Sequence, residues 1–143
     1  MIAFEFSLEI ARPVEEVFAY LADPAALPDW QSTAVHVEQA SPGPMAAGTR
    51  LRERRRFLGR EGESEVEVTE YEPGRRLTVR AVSGPVPFTV DHRLEPADGG
   101  TLLHVAAHAE PGRALRLAGP MVARAAERQF RADFQRLKEI LER

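Results

Sequence analysis

The sequence predicts an α+β protein in which a bent, seven-stranded antiparallel sheet wraps around one long C-terminal helix, with two short helices between the first and second strands. Three observations predict it. Residues 2–10 alternate between apolar and polar, the period of a half-buried strand. Residues 49–109 are a run of strand-like segments separated by Gly- and Pro-containing turns. The chain then ends in an apolar stripe at helical spacing. A sheet bent around a single helix cannot fill its middle with backbone, so a cavity is expected between them.

Each element follows from its residues. Ile2, Phe4, Phe6, Leu8 and Ile10 share one face of the first strand, and Ala3, Glu5, Ser7 and Glu9 share the other. Pro13 sits where a first helical residue belongs, with Glu15 and Glu16 in the positively polarised first turn. Val14, Val17, Phe18 and Leu21 recur at helical spacing. Asp23 before Pro24 reads as the N-cap and first-position proline of a second short helix that ends near Trp30. Val35 and Val37 begin the second strand, and Ala40–Gly48 is a loop carrying Pro42, Gly43 and Pro44.

Residues 49–58 and 63–71 read as a hairpin with its turn at Gly59-Arg60-Glu61-Gly62. This register sets Arg56 opposite Glu65 and Arg54 opposite Glu67 on the outer face. On the inner face it sets Phe57 opposite Ser64, Arg55 opposite Val66 and Glu53 opposite Val68. Leu77, Val79 and Ala81 continue the sheet until Ser83-Gly84-Pro85 and Pro87 break it. Phe88, Val90, His92 and Leu94 share the next inner face. After a turn at Asp98-Gly99-Gly100, Leu103, Val105, Ala107 and Ala109 supply the last one. Pro111-Gly112 separates sheet from helix, and Gly119-Pro120 interrupts the first turns that follow. From Met121 onward, Val122, Ala125, Ala126, Phe130, Phe134, Leu137 and Leu141 form the stripe.

Composition narrows the function classes. The 143 residues suit one domain spanning 1–143. A net charge of −3 gives no general attraction to nucleic acid or anionic lipid. With no cysteine, disulfides, thiolate metal sites and a cysteine nucleophile are excluded. No apolar run approaches the ~20 residues that span a bilayer, and no signal peptide is visible, so the expected location is cytoplasmic. The arginine run Arg50, Arg52, Arg54, Arg55, Arg56 and Arg60 is followed by Glu61, Glu63, Glu65, Glu67 and Glu70. Hairpin pairing sets acids beside bases and cancels the field, so a solvated charged face is expected rather than a phosphate track.

The order of elements and several strings resemble the polyketide cyclase/START-like superfamily, with its helix-grip fold. The strings are FEFSLEIARPVEEVFAYLAD, LPDW ending at Trp30, AAGTRL, EVEVTEYEPGRRL and GGTLLHV, and together they span essentially the whole chain. The resemblance implies an apolar cavity between sheet and C-terminal helix. It does not settle function, because such folds serve lipid carriers, quinone binders, aromatase/cyclases, receptors and co-chaperones.

Three polar residues fall on strand faces that should point into the cavity: Glu53, Arg55 and His92. They are the candidates for orienting a ligand's polar group, and for acid/base catalysis if there is any. The alternative for Glu53 and Arg55 is a satisfied ion pair near the rim. His92 titrates near neutrality when unperturbed and is a candidate proton shuttle, though an inner-face histidine also serves as a bonded core residue. His104 and His108 fall on the outer face, and their spacing on a strand does not suit a zinc site, so neither metal nor cofactor is expected. Trp30 is read as core or, secondarily, as a surface for ligand stacking. Phe4, Phe6, Leu51, Phe57, Val79, Phe88, Val90, Phe130 and Phe134 should line or back the cavity, and Gln129 and Asp133 border the helix stripe.

The expected function is binding or transport of a small hydrophobic molecule: a lipid, quinone, polyketide or aromatic metabolite. The alternatives are a metal-free cyclase/dehydratase and a protein-interaction module. No nucleic acid or integral membrane partner is expected, and the protein should be a monomer or homodimer.

Overall fold

A computed structural model describes residues 2–57, 59–84, 86–110 and 119–143, with the backbone alone at Phe57. In chain order the elements are β1 (Ile2–Ile10), α1 (Val14–Leu21), a 3-10 turn (Pro24–Ala26) and α2 (Leu27–Trp30). There follow β2 (Ala34–Gln39), β3 (Arg50–Phe57), β4 (Arg60–Glu72), β5 (Arg76–Ser83), β6 (Phe88–Ala97), β7 (Gly100–Ala109) and α3 (Gly119–Leu141). The strands form one antiparallel sheet in the order β1-β7-β6-β5-β4-β3-β2. The helix-grip architecture expected from the sequence is present.

Local chemistry sets the element ends. Pro13 is extended (φ −66°, ψ 154°) and caps α1 from outside rather than opening it. Asp23 caps the 3-10 turn, its carboxylate accepting from the Ala25 N–H at 3.1 Å. The described part of α3 begins at Gly119-Pro120, and the turns that this pair was expected to interrupt lie outside the described residues. Asp98 and Gly99 both take positive φ (42° and 80°), the twist-matched geometry of a two-residue hairpin loop.

The β3–β4 hairpin differs from expectation. The strands zip past Gly59–Gly62 until Phe57 faces Arg60, with Gly59 at φ +77°. Two-residue loops fit the strand twist, and the longer ladder gains backbone hydrogen bonds. The expected partners are therefore corrected. Arg54 faces Glu63 and Arg56 faces Glu61, while Glu53 faces Ser64 and Arg55 faces Gly62. The displacement is four residues, an even number, so every side chain keeps its face. Arg54 and Arg56 point outward, both near Glu61 (3.9 and 3.6 Å). Glu65 pairs instead with Arg50 (3.3 Å) and Glu67 with Arg80 (2.9 Å).

Curvature comes from irregular pairing. The 13-residue β4 shifts register against β5 between Glu65 and Val66 and again between Val68 and Glu70. A further shift falls between Ala34 and His36 on β2. Such bulges bend the strand that carries them. The sheet's concave face receives α3, whose Phe134 and Leu137 are fully buried. Ala125, expected on the helix's apolar stripe, lies on its exposed side. The C-terminal end of α3 is tied to the β1–α1 junction. Glu142 accepts from the Ala11 N–H and from Lys138 Nζ (both 2.8 Å), and Arg12 donates to the Arg143 carbonyl (3.0 Å).

On the convex face, Asp91 of β6 accepts from Thr78 Oγ1 (2.6 Å), Arg76 Nε (3.0 Å) and Arg93 Nε (2.9 Å). Partial burial alone would raise its pKa, but these three hydrogen bonds outweigh it and hold the carboxyl down at about 2. The folded value lies below the unfolded one of 3.8. Its stabilisation is therefore complete above pH 4 and is lost as pH falls toward 2. Asp91→Asn is expected to cost about 1 kcal/mol at pH 7 after solvent screening is allowed for, and little at pH 2. Urea unfolding at the two pH values checks this; an equal deficit at both would contradict it.

Candidate functional site: the cavity between sheet and C-terminal helix

The concave face and α3 do not meet along their whole length. Between them lies a cavity of about 310 Å³. Its sheet wall is built by inward parity: Phe4 from β1, Leu51 from β3, Val66 and Val68 from β4, Leu77 and Val79 from β5, Phe88 and Val90 from β6, and Ala107 from β7. Its helix wall is one stripe of α3, formed by Val122, Ala126, Gln129, Phe130, Asp133 and Phe134. Leu27 and Trp30 close it from α2.

Of the residues expected at the cavity, Phe4, Trp30, Leu51, Glu53, Arg55, Val79, Phe88, Val90, His92, Phe130 and Phe134 line it. Phe6 stands behind the wall, edge-on to Phe134 with centroids 5.6 Å apart and with the Arg131 guanidinium 4.9 Å over its ring. The side chain of Phe57 lies outside the described residues. His108 reaches the cavity mouth and is exposed, whereas His104 bonds Ser7 Oγ through Nδ1 (2.7 Å) on the outer face.

Glu53 and Arg55 form a hydrogen-bonded cluster. Arg55 donates Nε to one carboxylate oxygen of Glu53 (2.9 Å) and Nη2 to the other (3.1 Å), a two-pronged pairing. Its Nη2 also donates to Gln31 Oε1 (2.6 Å) and its Nη1 to Thr33 Oγ1 (2.9 Å). The Glu53 side chain is 5% exposed and that of Arg55 28%. The pair stands at one end of the cavity, with the carboxylate inside and the guanidinium toward the rim.

A second polar group joins α3 to the segment after α2. Asp133 Oδ1 accepts from the Ser32 N–H (3.2 Å) and Ser32 Oγ (2.9 Å), and Gln129 Nε2 bonds Ser32 Oγ. Burial raises the Asp133 pKa, with the Ser32 and Gln129 hydrogen bonds and the Arg55 charge opposing. A raised folded pKa means that the folded state is favoured by protonation and loses stability as pH rises through the carboxyl's range. Asp133→Asn keeps an acceptor for Ser32 and sheds the buried charge. Its melting temperature should therefore equal or exceed that of the parent at pH 7, and a clear fall would contradict this account. The local signal for this group is weak. Gln31, Ser32 and Thr33 are three polar residues directly after Trp30, yet nothing local says that they face α3.

Two buried polar atoms in the cavity wall remain. His92 is 5% exposed, and its Nδ1 lies 2.8 Å from the Leu77 carbonyl. Trp30 is 1% exposed, and its indole N–H finds no acceptor among the described residues. Both rings pack on Phe134, at centroid distances of 5.7 and 4.9 Å. Among the described residues no three metal-ligating side chains converge, and no helix is long and apolar enough to cross a membrane.

Solved structures repeat this architecture. A START superfamily protein from Mycobacterium smegmatis matches with TM-score 0.83 at 18% identity, over 99% of this chain and 98% of that one. A conserved protein from Geobacillus kaustophilus matches with TM-score 0.81 at 20% identity, over 99% and 95%. The di-domain aromatase/cyclase StfQ of the steffimycin biosynthetic pathway matches with TM-score 0.80 at 15% identity, over 99% of this chain and 50% of that one. At these identities the likeness is one of fold. In sequence, an uncharacterised protein of Mycobacterium tuberculosis is 33% identical over 106 residues, and that stretch spans 70% of this chain and 60% of the relative. The family model described as polyketide cyclase/dehydrase and lipid transport matches residues 1–142, and the chain belongs to that family.

Proposed function

We propose that the protein binds or carries a small hydrophobic molecule, a lipid, quinone, polyketide or aromatic metabolite, in the cavity between the sheet and α3. The observation that carries this reading is the cavity itself. About 310 Å³ is left open inside a fold whose walls there are mostly Val, Leu, Phe and Ala. Close-packed interiors do not keep such a space, and apolar walls with a few polar groups are the usual form of a small-molecule site. The family's description, which includes lipid transport, supports the same reading. The charged groups at the cavity's end are bonded to one another, which suits a carrier better than a catalyst that needs a free acid and a free base.

Native mass spectrometry of protein purified without detergent tests the proposal. A small-molecule adduct that persists in gentle ionisation and is lost on unfolding is the expected result. Protein that stays ligand-free after incubation with mixed lipids and aromatic metabolites would count against it. The family's cyclase chemistry suggests the alternative: a product formed from a poly-keto substrate by the parent protein and lost in His92→Phe would establish turnover.

A further inference from the structure

The His92 ring, which lines the cavity, has a fixed hydrogen-bonding character. The Leu77 carbonyl can only accept, so a neutral His92 ring must carry its proton on Nδ1 to make that 2.8 Å bond. The distal nitrogen, Nε2, is then a bare lone pair. Burial pushes the imidazole's pKa below its ordinary value, with the Leu77 hydrogen bond and Asp91 opposing, which favours the neutral ring. Among the described residues Nε2 has no hydrogen-bond partner, and the cross-strand neighbours of His92 are Leu77 and Val105. Buried polar atoms are rarely left unmade, because each costs the desolvation of the group.

We propose that the ligand of this cavity carries a hydroxyl group that donates to His92 Nε2. An alcohol or phenol satisfies the histidine. A keto or ether oxygen alone cannot, because it has no proton to give. A carboxylate brings only lone pairs to Nε2 and a charge into an apolar chamber, and the one guanidinium nearby already holds Glu53. The inference rests on the cavity being a ligand site and narrows the class of molecule it takes.

The test uses three probes of nearly one shape: 2-naphthol, 2-methoxynaphthalene and naphthalene. Each is titrated against 8-anilinonaphthalene-1-sulfonate on the native protein, and displacement of the dye is read. The hydroxyl probe should bind roughly three- to tenfold more tightly than the ether, the worth of one net hydrogen bond. In 15N-labelled protein the Nε2 resonance of His92 should shift with 2-naphthol and hold with the ether. His92→Phe should lose the preference between the hydroxyl probe and the ether, read as the ratio of their affinities in that variant. Equal affinities, or a preference that survives in His92→Phe, overturn the hydroxyl assignment and leave the cavity as a binding site. Displacement by none of the three probes overturns both.

Discussion

Arg55→Met is expected to destabilise the protein by about 3 kcal/mol, the scale of breaking a buried ion pair by removing one partner. The reason is the residue left behind. The Glu53 side chain is 5% exposed, and both its oxygens are held by Arg55. Without the guanidinium, a carboxylate must either stay charged beside Val37 and Leu51 or take up a proton. Gln31 and Thr33 lose their shared donor at the same time. The double variant Glu53→Leu/Arg55→Met removes charge and countercharge together and should recover most of the loss. Denaturant unfolding of the three proteins measures both effects. A single variant as stable as the parent would mean that Glu53 does not depend on Arg55.

Ala126→Trp is expected to weaken ligand binding by more than about a hundredfold, or about 2.8 kcal/mol. Ala126 lies on the cavity stripe of α3, between Val122 and Phe130. An indole placed there enters space the ligand needs. Enlarging a residue in a filled core costs about 1–3 kcal/mol in strain. Here the added volume has somewhere to go, so the melting temperature should change little. Isothermal titration with an aromatic ligand, paired with a thermal melt, checks the prediction. Undiminished affinity in a folded variant would place the binding site elsewhere.

The fold was legible because its signals are local and periodic. The alternation of Ile2–Ile10, the Asp23-Pro24 cap and the stripe through Phe130, Phe134 and Leu137 each name an element without help from the rest of the chain. The β3–β4 register was not legible. Its arginines and glutamates match at several even offsets, and two-residue and four-residue loops both place a glycine at the bend. Only backbone twist separates them. The inward parity of Glu53 and Arg55 survived that error because the displacement was even.

Other features of the site depend on approaches that no local pattern encodes. Gln31 and Thr33 meet Arg55 across 24 and 22 residues of chain, and Ser32 meets Asp133 across 101. The tautomer of His92 depends on a carbonyl of the neighbouring strand. Phe6 shares its parity with Phe4, yet Phe4 lines the cavity edge-on to Phe130 while Phe6 packs edge-on to Phe134 outside the lining.

The central claim is that the chamber between sheet and α3 receives a small apolar molecule, and titration of the native protein with 8-anilinonaphthalene-1-sulfonate tests it most directly. The account predicts saturable binding of one dye per chain, competed away by fatty or aromatic molecules, and lost in Ala126→Trp while that variant remains folded. Absence of saturable dye binding to the folded parent, or binding untouched by Ala126→Trp, would contradict it.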